Sequence, residues 1–174
     1  MAAAALDVAL VSDTHVPGRE SAIPPWVRER IRAADHTIHA GDFDAPETVA
    51  TVESLATDLT AVAGNIDPPS VDLPDVATLD VEGVTFVVVH GTGPHESWPE
   101  RVVGVVRETV DVDVDDRSTV VGVAGHTHTP TDLTVDGVRL LNPGSATGAR
   151  PATRTTMCSV HVDGAALDVT MHEA

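Results

Sequence analysis

Several short apolar runs in this chain stop at a polar residue able to bind a metal, and that repeated ending constrains the fold more than any other feature. Leu6 to Val11 runs into Asp13 and His15, Thr37 to Ala40 into Gly41-Asp42, Leu59 to Ala63 into Gly64-Asn65, Thr85 to Val89 into His90, and Thr119 to Ala124 into Gly125-His126-Thr127-His128. The runs alternate too little for half-exposed strands and read as short buried ones. Between the first three lie helical patterns. One starts near Pro24 and ends near Ala34, with Trp26, Val27 and Ile31 on a shared face. The other runs to about Ala56, with Asp44 as N-cap, Pro46 in the first turn and Glu47 as capping-box partner. Strand, helix, strand, helix, strand is the pattern of a parallel sheet in an α/β protein. The carboxyl ends of such strands converge on one edge, where ligands bind, so residues distant in sequence meet there.

After Val76 the texture changes. Two Val-rich runs meet at Glu82-Gly83 as a hairpin, a helix is expected from Glu96 to about Val110, and turns at Asp136-Gly137 and Asp163-Gly164 mark two further hairpins. There is no repeat or linker, and the acidic stretch Asp111 to Asp116 reads as a solvated loop. Residues 1–174 are therefore expected to form one domain, long enough to bury roughly 70% of the surface its unfolded chain exposes. With 42% hydrophobic residues but only 2% aromatic ones, its core must be filled by Val, Ala, Leu and Ile.

Charge narrows the function classes. Against 27 acidic residues stand 10 basic ones, all Arg, for a net charge of −17. Such a surface repels a phosphate backbone and argues against a nucleic-acid groove, small or cyclic nucleotides excepted. An acidic surface without Lys suits molar salt, where the Debye length shrinks to roughly 3 Å, so a halophilic and archaeal setting is expected. The single Cys158 excludes an internal disulfide and reads as a buried strand residue. The opening Met1 to Asp7 lacks a basic region, and no apolar run approaches the roughly 18 residues of a membrane span, so a cytoplasmic protein without membrane attachment is expected.

The strand ends carry the chemistry. Carboxylates, imidazoles and an amide oxygen together suit manganese, iron, zinc, nickel or cobalt better than magnesium or calcium, which prefer all-oxygen shells. A lone Asp after a strand says little in a chain this acidic, and His36, His39, His95, His161 and His172 read as structural or surface residues. The ordered set at the strand ends is another matter.

Asp13-Thr14-His15, Gly41-Asp42, Gly64-Asn65, His90-Gly91 and Gly125-His126-Thr127-His128, in this order and with these gaps, resemble the calcineurin-like metallophosphoesterases. The similarity is to their small bacterial and archaeal members and the related retromer subunit, over nearly the whole chain. It implies an α/β, four-layer αββα sandwich of two mixed β-sheets with metals at one edge. It further implies two divalent ions, manganese foremost. Asp13, His15, Asp42 and His128 would hold the first, and Asp42, Asn65, His90 and His126 the second, with Asp42 bridging. A hydroxide between ions about 3.5 to 4 Å apart would attack phosphorus in line with the departing alcohol, with Asp42, Asn65 and His90 as the catalytic residues.

Many family members carry His after the Asn; here Ile66 stands there. Without that acid, activated or cyclic phosphodiesters are the expected small substrates. Asp67 reads as a turn residue before Pro68-Pro69, and Asn142-Pro143-Gly144-Ser145 as a turn whose Ser145 could, like Asn65, meet substrate. Arg150 and Arg154 read as surface arginines that could reach a phosphate. The alternative reading is a catalytically weak metal-binding scaffold for another protein, as the retromer subunit is, and a homo-oligomer is the default assembly.

Overall fold

The computed structural model describes residues 4–110 and 119–174, so the acidic stretch Asp111 to Asp116 and the first three residues lie outside the described residues. In chain order the elements are β1 (Leu6–Val11), α1 (Pro25–Ala33), β2 (His36–His39), α2 (Pro46–Leu55), β3 (Leu59–Ala61), β4 (Val76–Val81), β5 (Val84–Val89), α3 (Trp98–Thr109), β6 (Thr119–Val123), β7 (Thr131–Val135), β8 (Val138–Asn142), β9 (Thr156–Asp163) and β10 (Ala166–Glu173). Single 3-10 turns at Pro69–Val71 and His95–Ser97 lead into β4 and α3.

Two mixed sheets result, ordered β10-β9-β1-β2-β3 and β4-β5-β6-β8-β7. In the first, β1, β2 and β3 are parallel and β9 joins β1 antiparallel. In the second, β5, β6 and β8 are parallel, with β4 and β7 antiparallel at the edges. Side chains alternate across each strand, and both faces are used. Val8 and Leu10 of β1 point between the sheets to join Ile38, Phe86, Val88, Val121, Val123 and Val160, while Ala9 and Val11 face α1 and α2 through Val27, Ile31, Val49 and Val52. On the other side α3 seats Trp98, Val102, Val103 and Val106 against Val87 and Leu140. This is the four-layer αββα sandwich. Its two-faced burial explains why β5 and β6 read as Val-rich runs.

Every helix opens with proline in its first turn, where the missing N–H costs nothing. The expected cap of α2 is corrected. Ala45 occupies that position without a side-chain bond, because Asp44 is turned toward His15 instead. Among the described residues no helix is long and apolar enough to cross a membrane.

Candidate metal centre

The donor residues all lie on the loops that leave the carboxyl ends of β1, β2, β3, β5 and β6. For side chains two residues apart to converge there, the backbone must turn sharply. Asp13, His15, Asp42, His126 and His128 do so with φ of 52°, 46°, 62°, 73° and 60°. Left-handed backbone at non-glycine residues costs on the order of 1 kcal/mol or more each and gathers at functional sites. Two glycines permit the loops to close on one another. A Cβ at Gly64 would overlap the Asp42 carboxylate, and one at Gly125 would overlap Ser12 Oγ and press on Asp13 Oδ2 at 2.5 Å.

Asp13, His15, Asp42 and His128 are buried, and one ligand atom from each falls within a 4.8 Å cluster, the one such group among the described residues. His15 Nδ1–H donates to Asp44 Oδ1 at 2.9 Å and His128 Nδ1–H to the Ala149 carbonyl at 2.8 Å. Both partners only accept, so each ring keeps its proton on Nδ1 and presents a bare Nε2 lone pair inward. Burial lowers the pKa of His15 and brings that of His128 down to about 4, so neither ring carries a second proton near neutral pH. Those two Nε2 atoms stand 3.2 Å apart. Asp13 Oδ1, 3.4 Å from His128 Nε2, is buried with no hydrogen-bond partner, and Asp42 Oδ2 lies 3.5 Å from His15 Nε2. Electron pairs converging this closely fit a cation. Burial pushes the Asp13 carboxyl up to about 7, a shift that a bound cation would oppose.

A second group continues outward from Asp42. His90 donates through Nδ1 to the Ala40 carbonyl at 2.7 Å and sets Nε2 3.2 Å from Asp42 Oδ2 and 3.0 Å from Asn65 Oδ1. His126 donates through Nε2 to the Gly93 carbonyl at 2.9 Å, leaving Nδ1 3.1 Å from the same Asn65 oxygen. Burial opposes a charge on His90, but its hydrogen bond to Asp42 and the charges of Asp13 and Asp42 outweigh that and raise its pKa; burial leaves His126 lowered. Burial likewise pushes Asp42 upward, and the His90 bond and charge reverse it to a lowered value. Asn65 is exposed, so this outer group opens to solvent while the inner one is buried.

Residues 6–165 match the family model described as a calcineurin-like phosphoesterase superfamily domain. The chain belongs to the calcineurin-like phosphoesterase superfamily. A probable metallophosphoesterase from Methanothermobacter thermautotrophicus is 31% identical over 163 residues, 92% of this chain and 88% of that protein. A Thermotoga maritima protein solved in solution is 30% identical with a TM-score of 0.72, covering 97% of this chain and 99% of that one. Vps29 of Chaetomium thermophilum shares the fold at a TM-score of 0.77 and 19% identity, covering 97% of each chain, and has also been solved with a cyclic peptide bound.

This calcineurin-like site rests on residues that sequence reasoning passed over. Asp67 is more than a turn residue: its carboxylate accepts from the backbone N–H of Asp42 at 3.0 Å, Asp44 at 2.8 Å and Gly64 at 2.8 Å, tying two ligand loops together. Asp44 orients His15 and also accepts from Gly18 N–H at 3.0 Å. Buried His39 stacks on Phe43, meets Thr14 Oγ1 at 3.2 Å and accepts from Gly41 N–H at 3.1 Å, and burial brings its pKa down to about 3. In so acidic a chain, no composition or spacing singles these out. The reading of Ser145 as a substrate contact is corrected. Its hydroxyl is fully buried, donates to the Asp13 carbonyl at 2.8 Å and accepts from Ala149 N–H, so it is a strut beneath the site. Arg154 pairs with Glu173 at 2.6 Å, and the structure gives the Arg150 side chain no partner at the centre. Arg19 is the cation whose charge reaches His15 and His128. Exposed His95 lies edge-on to His126 at 5.3 Å.

Proposed function

We propose that this protein is a phosphodiesterase that works with two divalent cations, manganese foremost and nickel, zinc, iron or cobalt as substitutes. Asp13, His15, Asp42 and His128 would hold one, and Asp42, Asn65, His90 and His126 the other. The observation that carries the reading is the meeting of fixed lone pairs around Asp13 Oδ1, which has no hydrogen-bond partner. Bound there, the cations would lower the pKa of a water and neutralise charge developing on the phosphoryl group.

The chain's own side chains define the rest. Asp42 belongs to both groups, and its Oδ1 accepts from Ile66 N–H at 3.2 Å, which leaves Oδ2 facing His15 and His90. Asp44, Ala149, Ala40 and Gly93 hold the four imidazoles in single tautomers, so the donors need no reorganisation. Asn65 stands at the open side, where a phosphoryl oxygen would enter. Beside it Ile66 offers no proton to a departing alkoxide, which favours activated or cyclic diesters with stable leaving groups. The acidic, Lys-free composition supports a halophilic setting.

A second reading, a protein-binding scaffold, draws on Ile66, the one large hydrophobic side chain exposed among the described residues, at 41%, and on the Vps29 peptide complex. One assay separates them. Hydrolysis of bis(4-nitrophenyl) phosphate and 4-nitrophenyl phosphate is followed in high salt with added manganese, nickel or magnesium, for the parent, Asp42→Ala and His126→Ala. Metal-dependent diester cleavage in the parent, lost in both variants, is expected. A folded, metal-loaded parent without turnover would leave the scaffold.

A further inference from the structure

Between α3 and the loops after β3 and β5 lies a cavity of about 350 Å³ that borders the outer donors Asn65 and His90. Its walls are largely apolar, formed by Val89 at the end of β5 and by Val102 and Val105 of α3, with Asp75 and Thr92 also lining it. Arg101 lines it as well, and its guanidinium is clamped. One terminal nitrogen donates to the Pro94 carbonyl at 2.9 Å and to Ser97 Oγ at 2.7 Å, and the other to the Gly91 carbonyl at 2.9 Å. Its Nε–H, by contrast, is buried without a partner among the described residues. Those three bonds hold the guanidinium still where the side chain borders the metal centre's own cavity.

We infer that this cavity is the subsite for the retained ester group of the diester, and that the group it takes is a single flat ring, that of an aryl or nucleobase-bearing alcohol. The inference rests on the phosphodiesterase reading above. Its volume lies at the low end of small-molecule sites, room for one ring rather than an oligomer. The choice between the two esters follows from charge. In hydrolysis a water oxygen forms a bond to phosphorus, the bond to the departing alcohol breaks, and a proton ends on that alcohol. Negative charge therefore develops on the departing oxygen, which valine walls solvate poorly and for which the Arg101 terminal nitrogens, already donating to Pro94, Ser97 and Gly91, are not free, whereas the retained ester develops none. On the far side of the centre a cavity of about 400 Å³ beside His128 is lined by threonines and the Arg154–Glu173 pair, a wetter exit for the departing alcohol.

The test compares Val105→Trp, which fills the cavity from α3, and Val89→Phe, which fills it from β5, with the parent. Calorimetry of the manganese-loaded protein with phenylphosphonate and methylphosphonate reads the subsite without turnover. The parent should bind the phenyl compound at least tenfold tighter, and both variants should bring the ratio close to one. In kinetics, the ratio of kcat/KM for bis(4-nitrophenyl) phosphate over methyl 4-nitrophenyl phosphate, which release the same phenolate, should fall at least tenfold. Equal phosphonate affinities in the parent overturn the subsite even if the variants misfold. So does an active parent whose ratios survive both substitutions. A phenyl preference that the variants abolish in a protein without turnover would keep the cavity as a ring-binding site and remove the phosphodiesterase reading instead.

Discussion

Replacing Asp67 with Ala removes the acceptor of three backbone N–H groups at once, those of Asp42 and Gly64 on Oδ2 and of Asp44 on Oδ1. A hydrogen bond to a charged acceptor contributes about 1.5–3 kcal/mol, so three of them bound the loss at about 5–9 kcal/mol. Asp67 is only half-buried, and water entering the vacated space recovers part of this, which brings the expected cost to about 3–5 kcal/mol. Asp67→Asn keeps one oxygen for the pair of donors on Oδ2 but turns an NH2 toward Asp44 N–H, and should cost about 1–3 kcal/mol. Because these bonds hold the Asp42 loop against the loop carrying Asn65, metal affinity should fall as well, by about 10- to 100-fold as for other groups that orient ligands. Urea unfolding of the chelated protein, followed by the fluorescence of Trp26 and Trp98, gives the first number, and metal titration gives the second. An Asp67→Ala variant within about 0.5 kcal/mol of the parent and with parental metal affinity would refute the bracing role.

Gly64→Ala places a methyl group onto the Asp42 carboxylate, so it should lose metal binding while a Gly104→Ala control, whose added carbon meets nothing within 4 Å, retains it; equal binding in both would contradict the geometry. His39 has a folded pKa of about 3, below its unfolded value of 6.5, so the folded state binds fewer protons. Its contribution is complete above 6.5 and lost as pH falls toward 3. Chelated His39→Gln should accordingly show a slope of stability between pH 6 and 4 that is shallower by about 1.4 kcal/mol per pH unit; parallel slopes would show that His39 is not the group responsible. With a net charge of −17, the melting temperature should rise with KCl, and one indifferent to salt between 0.1 and about 3 M would remove the halophilic expectation.

Much of this was legible in the chain. A strand buried on both faces must be apolar at most of its positions, so β1, β5 and β6 show as Val-rich runs with their boundaries nearly right. Parallel strands bring their carboxyl ends to one edge, so the polar residues that follow them mark the site, and the glycines before Asp42, Asn65 and His126 mark the close approach of its loops. Local sequence is enough for such features because each depends on one strand and the few residues after it. What only the tertiary structure decided is how distant loops meet. It set β9 antiparallel beside β1 and β8 between β6 and β7. It made Asp67 a brace, turned Asp44 from a helix cap to the partner of His15, buried Ser145, and left Arg101 Nε without a partner. An aspartate in an acidic chain carries no mark of which N–H it will accept from. That choice rests on distances of a few tenths of an ångström between segments tens of residues apart, which packing fixes and sequence spacing does not.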